Sequence, residues 1–244
     1  MLSDIYTPVG IYLRLRDRFR DTVLLESTDY HAAENSFSFI CINAVAGMEI
    51  TDLHSVEFKL PGQKPEKQPI GNPAEVPNLL WSFMQRFNIE PATDKVVASV
   101  QGLYGYTSFD AVQFFDTIRF NAAKPSAGIP LMRYRLYQYI IAINHFKNEM
   151  YLCENQIAGL NSEPEVVESL IRSKDVPVFP FKTNGGETSN MEDASYREMV
   201  KKGIHSCYRG DVFQIVLSRR FEQPFTGDEF NVYRALRNIN PSPY

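Results

Sequence analysis

The chain reads GDVFQIVLSRRF at residues 210–221, and this stretch decides how its second half is interpreted. An amphipathic helix leads up to Gly210, and glycine readily adopts the backbone conformation of a helix end. The apolar run at 212–221 predicts a strand, and residues 226–236 have the capping residues and apolar spacing of a further helix. Residues 240–244, NPSPY, follow as a turn that two prolines make rigid.

A change of composition near residue 180 predicts a boundary between two domains. Residues 175–188 contain two prolines and a Gly-Gly pair, which is typical of a connecting segment. We therefore expect one domain at residues 1–180 and the start of another at 181–244. Only about 54 residues follow a start near residue 190, too few to bury an adequate core alone. The second domain is therefore expected to continue past residue 244.

Short apolar and alternating segments in the first 180 residues predict a β-sheet. Residues 36–42, SFSFICI, begin with strict alternation, which is typical of a strand with one face on a core. Residues 137–153 predict a hairpin, and apolar positions at 79–87 and 164–171 recur at helical spacing. The expected fold class is α+β, with largely antiparallel sheets covered by helices.

Three shorter segments carry separate expectations. The two-residue spacing of arginines at residues 11–16 predicts the exposed face of a strand. Residues 95–100 are β-branched and predict another strand. Gly102 and Gly105 lack the further residues of a phosphate-binding loop, so Gly105 is expected to permit close packing or a special backbone angle.

Composition excludes several classes of protein. A formal net charge of −4 gives no basic footprint for nucleic acid. There is no apolar run of 18 residues and no charged start with an apolar core, so neither a membrane span nor a signal peptide is predicted. The three cysteines are far apart and form no metal-binding pattern, which favours a reducing, cytoplasmic compartment.

Residues for catalysis are hard to find. The four histidines are scattered, and no nucleophile or metal-ligand spacing accompanies them. Two other segments stand out. Residues 24–27, LLES, are an apolar strand that ends on Glu26 and Ser27, which is also typical of a strand terminus with a turn-forming serine. The rigid turn at 240–244 leaves carbonyl groups free to recognise an ammonium group, although an ordinary loop has the same composition.

Both segments resemble the large subunit of anthranilate synthase. The resemblance covers nearly the whole chain, with LLES at 24–27 and residues 210–244 as its specific parts, and with the glycine-tyrosine segment at 102–110 in addition. It implies the α+β fold of chorismate-utilising enzymes, incomplete at its C-terminus. In that family the two segments form a feedback site for L-tryptophan. Carried over, Glu26 and Ser27 line one wall, and the other wall consists of Asn240, Pro241, Ser242, Pro243 and Tyr244.

The chemistry of this implied site is consistent with the ligand. A carboxylate and free carbonyls suit the ammonium group, a hydroxyl suits the polar end, and apolar walls suit the indole. One position departs from the family. Some members have an effector-contacting lysine about ten residues after the serine, and this chain has Phe37 there.

The same resemblance implies a reaction. Chorismate and ammonia give anthranilate and pyruvate at a magnesium-bound site, and a separate glutamine amidotransferase subunit supplies the ammonia. The family's catalytic residues and magnesium ligands fall beyond Tyr244, so the chain is expected to contain no catalytic or metal residue. Two alternatives remain open: the large subunit of aminodeoxychorismate synthase, and a non-enzymatic module for tryptophan binding or docking.

Overall fold

Antiparallel strands and short helices make up the computed structural model, which describes residues 1–27, 36–120 and 128–242. The strands are β1 (Val23–Leu25), β2 (Phe37–Ile50), β3 (Ser55–Lys59), β4 (Glu66–Pro69), β5 (Tyr104–Thr107), β6 (Met132–Asn144), β7 (Glu149–Glu154), β8 (Phe181–Thr183), β9 (Thr188–Ser189), β10 (Phe221–Glu222) and β11 (Phe225–Gly227). The α-helices are α1 (Pro8–Leu15), α2 (Val76–Met84), α3 (Lys95–Val100), α4 (Pro164–Arg172), α5 (Asp193–Arg209) and α6 (Phe230–Ile239), with 3-10 turns at Pro73–Glu75 and Phe109–Phe114.

The long strands β2 and β6 form the centre of a seven-stranded sheet. They pair from Phe37 opposite Asn144 to Ile50 opposite Met132. The sheet runs β4-β3-β2-β6-β5, with β1 also on β2 and β7 also on β6. The predicted hairpin is confirmed as β6 and β7. Every pairing in this sheet is antiparallel, so the predicted α+β class is confirmed.

A bulge interrupts the pairing of β2 with β6 between Ala44 and Ala46. The extra residue reverses the face on which later side chains of β2 lie. Before the bulge, Ile40 and Ile42 pack with apolar residues of α1 and α4. After it, Met48 and Ile50 pack with residues of α2. One strand therefore supplies two separate cores.

Two segments that the sequence predicts as strands are helices, so those predictions were wrong. Residues 11–16 largely belong to α1, where the Thr7 hydroxyl accepts a hydrogen bond from the Gly10 amide at 3.0 Å. Residues 95–100 form α3, where Asp94 accepts bonds from two amides of the first turn at 2.8 and 3.1 Å. A side-chain cap satisfies amides that a strand would have paired elsewhere, and it outweighs the weak propensity of β-branched residues.

The structure separates into two compact units. One unit consists of Met1–Pro177 with Pro241 and Ser242 and contains the seven-stranded sheet, and Val178–Asn240 form the second unit. In the second unit α5 ends as expected at Gly210, whose φ is 78°. The strand predicted at 212–221 was wrong, because among the described residues only its last residue, Phe221, pairs, together with Glu222, as β10 with β9. Apolar side chains of the stretch are exposed, among them Phe213 and Val216.

Candidate functional site

The strand β1 delivers two polar residues to one end of the sheet. Its three residues pair with β2, the last pair being Leu25 opposite Phe39. The chain leaves the sheet after Leu25, and the next residues are Glu26 and Ser27. Glu26 is buried, with 7% of its surface exposed, and it takes part in further polar interactions. A buried carboxylate is costly unless polar groups surround it, so this position is typical of a binding or structural site.

Two serines of β2 lie beside Ser27. The Ser27 amide donates a hydrogen bond to Ser38 Oγ at 3.1 Å, and Ser36 Oγ donates to Ser27 Oγ at 3.2 Å. Ser36 and Ser38 reach the same neighbour because alternate residues of a strand share a face. Both are buried, and Ser38 has no exposed surface. The alternation predicted for this strand is confirmed, but at this end of β2 the residues that alternate with the phenylalanines are buried serines.

His145 completes the cluster, which we call the serine–histidine cluster: Ser27, Ser36, Ser38 and His145. Its ring Nε2 lies 2.7 Å from Ser38 Oγ, and its backbone amide donates to the Ser36 carbonyl oxygen at 3.0 Å. Burial lowers the pKa of His145 below its ordinary value, and the negative charge of Glu26 offsets part of that shift. The imidazole is therefore neutral at pH 7.

Sequence reasoning missed Ser36, Ser38 and His145. The histidine lies 107 residues after Ser38 along the chain, and only the pairing of β2 with β6 brings them together. The alternating SFSF pattern indicated which residues share a face, but it could not indicate the partner strand. Spacing along the sequence therefore contained no signal for this contact.

Phe37 lies on the opposite face of β2 from the serines. Its ring stacks on Phe39, with centroids 6.0 Å apart, and Phe39 contacts the ring of Tyr104 at 5.9 Å. These rings pack with the buried residues around Val100 and Tyr137. The Phe37 side chain thus belongs to an aromatic row and not to the serine–histidine cluster.

The second predicted wall follows the last helix. The Asn240 amide donates to the Leu236 carbonyl oxygen at 2.8 Å, which closes the end of α6. Asn240, Pro241 and Ser242 are exposed. Pro243 and Tyr244 lie outside the described residues. Glu26 and Ser27 thus lie side by side at the end of β1, and Asn240–Ser242 form the exposed segment that follows α6.

Two further findings concern metal binding and membrane spanning. Within residues 1–27, 36–120 and 128–242, no three His, Cys, Asp or Glu side chains lie close enough together to hold a metal ion. Across the same ranges, no helix has the length and apolar character needed to span a lipid bilayer.

Comparison with known proteins identifies the family to which this sequence is similar. The pattern of the family described as "chorismate binding enzyme" matches residues 49–244. Anthranilate synthase component 1 of Lactococcus lactis is 29% identical over 99% of this chain and 52% of its own length. The protein of the same name from Thermus thermophilus is 28% identical over the whole chain and 51% of its own length. The chain thus spans about half the length of the curated relatives it matches.

A solved structure has the same fold. The crystal structure of anthranilate synthase component I from Streptococcus pneumoniae matches the whole chain and 53% of its own chain. The TM-score is 0.55 and the sequence identity is 22%. This structural similarity supports the α+β fold described above.

Proposed function

The chain belongs to the family of chorismate-binding enzymes, and from that membership we propose that it is the front part of an anthranilate synthase large subunit. The observation that carries the proposal is the match of essentially all 244 residues to relatives named anthranilate synthase component 1. The reaction is the conversion of chorismate and ammonia, or glutamine, into anthranilate and pyruvate in tryptophan biosynthesis. Residues 1–180 are the regulatory domain, and residues 181–244 begin the chorismate-binding domain.

The chemistry of the reaction belongs to later residues of the full-length protein. Enzymes of this family generally depend on Mg²⁺. The magnesium ligands and catalytic residues of the family are expected beyond Tyr244, so we assign none of them to this chain. The ammonia comes from a glutamine amidotransferase subunit, and the complex works in the cytoplasm.

The role proposed for this chain is feedback control by L-tryptophan. Glu26 receives the ammonium group, and Ser27 offers a hydroxyl that β1 and the serine–histidine cluster hold in place. The rigid turn Asn240, Pro241, Ser242, Pro243 and Tyr244 supplies carbonyls and an apolar surface. A ligand that bridges two domains favours one relative arrangement of them, which explains how binding would alter activity.

Replacement of Ser27 by leucine tests the effector site. Ser27→Leu removes the hydroxyl and places an apolar group beside Ser36 and Ser38, so we expect loss of tryptophan inhibition in the full-length enzyme. The measurement is the rate of anthranilate formation against tryptophan concentration, with the rate without tryptophan as the reference for each variant. Ser82→Leu, on the exposed side of α2, is the matched control and should be inhibited like the parent enzyme.

Unchanged inhibition of Ser27→Leu would remove this residue from the site. The product of the full-length enzyme distinguishes the remaining alternatives. Anthranilate with pyruvate supports the proposal, whereas an aminated chorismate without pyruvate would indicate aminodeoxychorismate synthase. A protein that binds tryptophan but forms neither product would be a binding module.

A further inference from the structure

A continuous line of hydrogen bonds runs behind Ser27. Ser38 Oγ accepts the amide hydrogen of Ser27 at 3.1 Å and lies 2.7 Å from His145 Nε2. Because Ser38 has no exposed surface, its own hydroxyl hydrogen needs an acceptor inside the protein. His145 Nε2 supplies that acceptor when the ring is neutral. The line therefore has a direction, from the Ser27 amide through Ser38 to the imidazole.

We propose that His145 is a positioning residue of the effector site, and that protonation of His145 weakens binding of a ligand whose ammonium group lies at Glu26. This inference rests on the proposed function, which places the tryptophan ammonium group at that carboxylate. It adds control by pH, which follows from neither of the two sequence segments.

The first reason is the direction of the hydrogen bonds. A protonated imidazole carries hydrogens on both nitrogens and can only donate. Ser38 Oγ would then receive hydrogens from both His145 and the Ser27 amide, and its own hydrogen would lose its acceptor in a buried position. The pair has to separate or rearrange to relieve this loss, because an unsatisfied buried polar group is costly. Either change releases the Ser27 amide from the position that Ser38 fixes.

The second reason is charge. Among the described residues, Glu26 at the end of β1 is the ionised group that acts on His145. The strand β2 presents the uncharged hydroxyls of Ser36 and Ser38 to the ring. The turn that follows β6 also contains a positively charged residue, Lys147, whose backbone amide donates a hydrogen bond to the Asn144 side chain. A ligand ammonium group at Glu26 neutralises the charge that favours the imidazolium, so ligand and proton compete.

Competition fixes the sign of the effect. Tryptophan binds better to the form with neutral His145, so its affinity falls as the pH drops through the range where His145 gains a proton. Burial places that range below the ordinary value for histidine. A pKa that ligand binding lowers by half a unit to one unit corresponds to a loss of affinity of about three- to tenfold at the acidic limit.

The test uses the full-length enzyme and calorimetric titration with L-tryptophan between pH 5.5 and 8. For the parent enzyme we expect the dissociation constant to rise continuously from pH 8 to pH 5.5, by a part of the change of about three- to tenfold expected at the acidic limit. Glutamine at position 145 can accept from Ser38 but does not titrate. His145→Gln should therefore bind with similar affinity at pH 8 and lose most of the pH dependence. His54→Gln, at an exposed histidine, is the matched control and should keep it.

A second variant separates positioning from general support of the fold. His145→Ala leaves the Ser38 hydroxyl without its acceptor, so tryptophan should bind more weakly at every pH, and glutamine should restore the affinity at pH 8. Equal pH dependence in the parent and His145→Gln would overturn the inference and leave the effector site standing. An affinity in the parent that does not change with pH would do the same. Absence of any tryptophan binding by the parent at pH 8 would instead refute the proposed effector site, and this inference with it.

Discussion

Ser38 is a single side chain on which two segments of the chain depend. Its hydroxyl oxygen holds the Ser27 amide, and the same group contacts His145 Nε2. The sequence placed Glu26 and Ser27 at the end of a strand, because apolar residues followed by a carboxylate and a hydroxyl have a local pattern. It did not indicate Ser38 or His145, since their contact depends on a pairing between strands far apart in the chain. Local patterns thus predicted Glu26 and Ser27, whereas tertiary structure determined the contact between Ser38 and His145.

Ser38→Ala is expected to destabilise the full-length protein by about 1–3 kcal/mol, because it leaves a buried amide and an imidazole without their shared partner. The measurement is the free energy of unfolding, or the shift in melting temperature, at pH 7.5. Ser99→Ala removes an exposed hydroxyl that bonds only within α3, and it is the matched control. Equal effects of the two substitutions would show that the Ser38 contacts contribute nothing to stability.

Elements were predicted best where a local cap or a clear period marks them. The helix at 164–172 and the end of α5 at Gly210 follow from proline, glycine and apolar spacing. Residues 95–100 were assigned wrongly because β-branched composition was given more weight than the capping aspartate before them. The stretch at 212–221 has the composition of a strand, yet strand formation requires partners, and the described residues provide partners only for its end.

The pairing of β2 with β6 carries a charged cluster. Glu49 lies opposite Arg133 in the pairing of the two strands. Its carboxylate accepts a hydrogen bond from Arg133 Nε at 2.8 Å and another from the guanidinium of Arg135. Burial alone would raise the pKa of Glu49, but hydrogen bonds and charges of the two arginines outweigh it and hold the pKa below its ordinary value. A carboxylate with a lowered pKa stabilises the fold above its unfolded pKa, and that contribution disappears as the pH falls through the folded pKa.

Glu49→Gln is therefore expected to destabilise the protein by about 2 kcal/mol at pH 7, since charged hydrogen bonds are lost and two arginines keep uncompensated charge. The difference from the parent should shrink as the pH falls below 4.5, where the unfolded parent begins to bind a proton at Glu49, and should disappear below the lower pKa of Glu49 in the folded state. Melting temperatures measured between pH 3.5 and pH 7 check both parts. Glu187→Gln, at an exposed site of the second unit, should have little effect, and a difference from the parent that is constant with pH would contradict the assignment.

Gly105 shows how closely β5 approaches β6. A Cβ atom at this position would lie 1.8 Å from the Arg133 carbonyl oxygen, so close packing, one of the two roles expected from the sequence, is confirmed. Gly105→Ala should cost about 1–3 kcal/mol or more through displacement of the strand. Gly102→Ala is the matched control, because nothing lies within 4 Å of its added Cβ. Urea denaturation compares the two, and equal stability would contradict the close approach.

At the scale of the whole molecule, the two units differ in how far they bury their apolar residues. The first contains the three clusters of buried side chains, whereas α6 has no buried residue and α5 has only Gly203. The sequence predicted a boundary near residue 180 from composition alone, and that boundary stays a prediction. Composition could not predict the short pairs β8–β11 and β9–β10, since strands of two or three residues have no measurable period.

The isolated chain is expected to form no anthranilate from chorismate, with either ammonia or glutamine. The reason is that the residues of the family that bind Mg²⁺ and perform the reaction are expected beyond Tyr244. Anthranilate fluorescence is the measurement, with the full-length protein as the positive control and a reaction without enzyme as the blank. A signal above that blank from residues 1–244 alone would contradict the proposal that catalysis resides elsewhere.

The bulge between Ala44 and Ala46 has a consequence for recombining this protein with its relatives. Because it reverses the side-chain phase of β2, the halves on either side follow opposite inside–outside patterns along the chain. A chimera joined within β2 keeps both cores only if the two parents have the bulge at the same aligned position. Crossovers placed in the loops outside the strand escape this condition, and so does exchange of β2 together with β6.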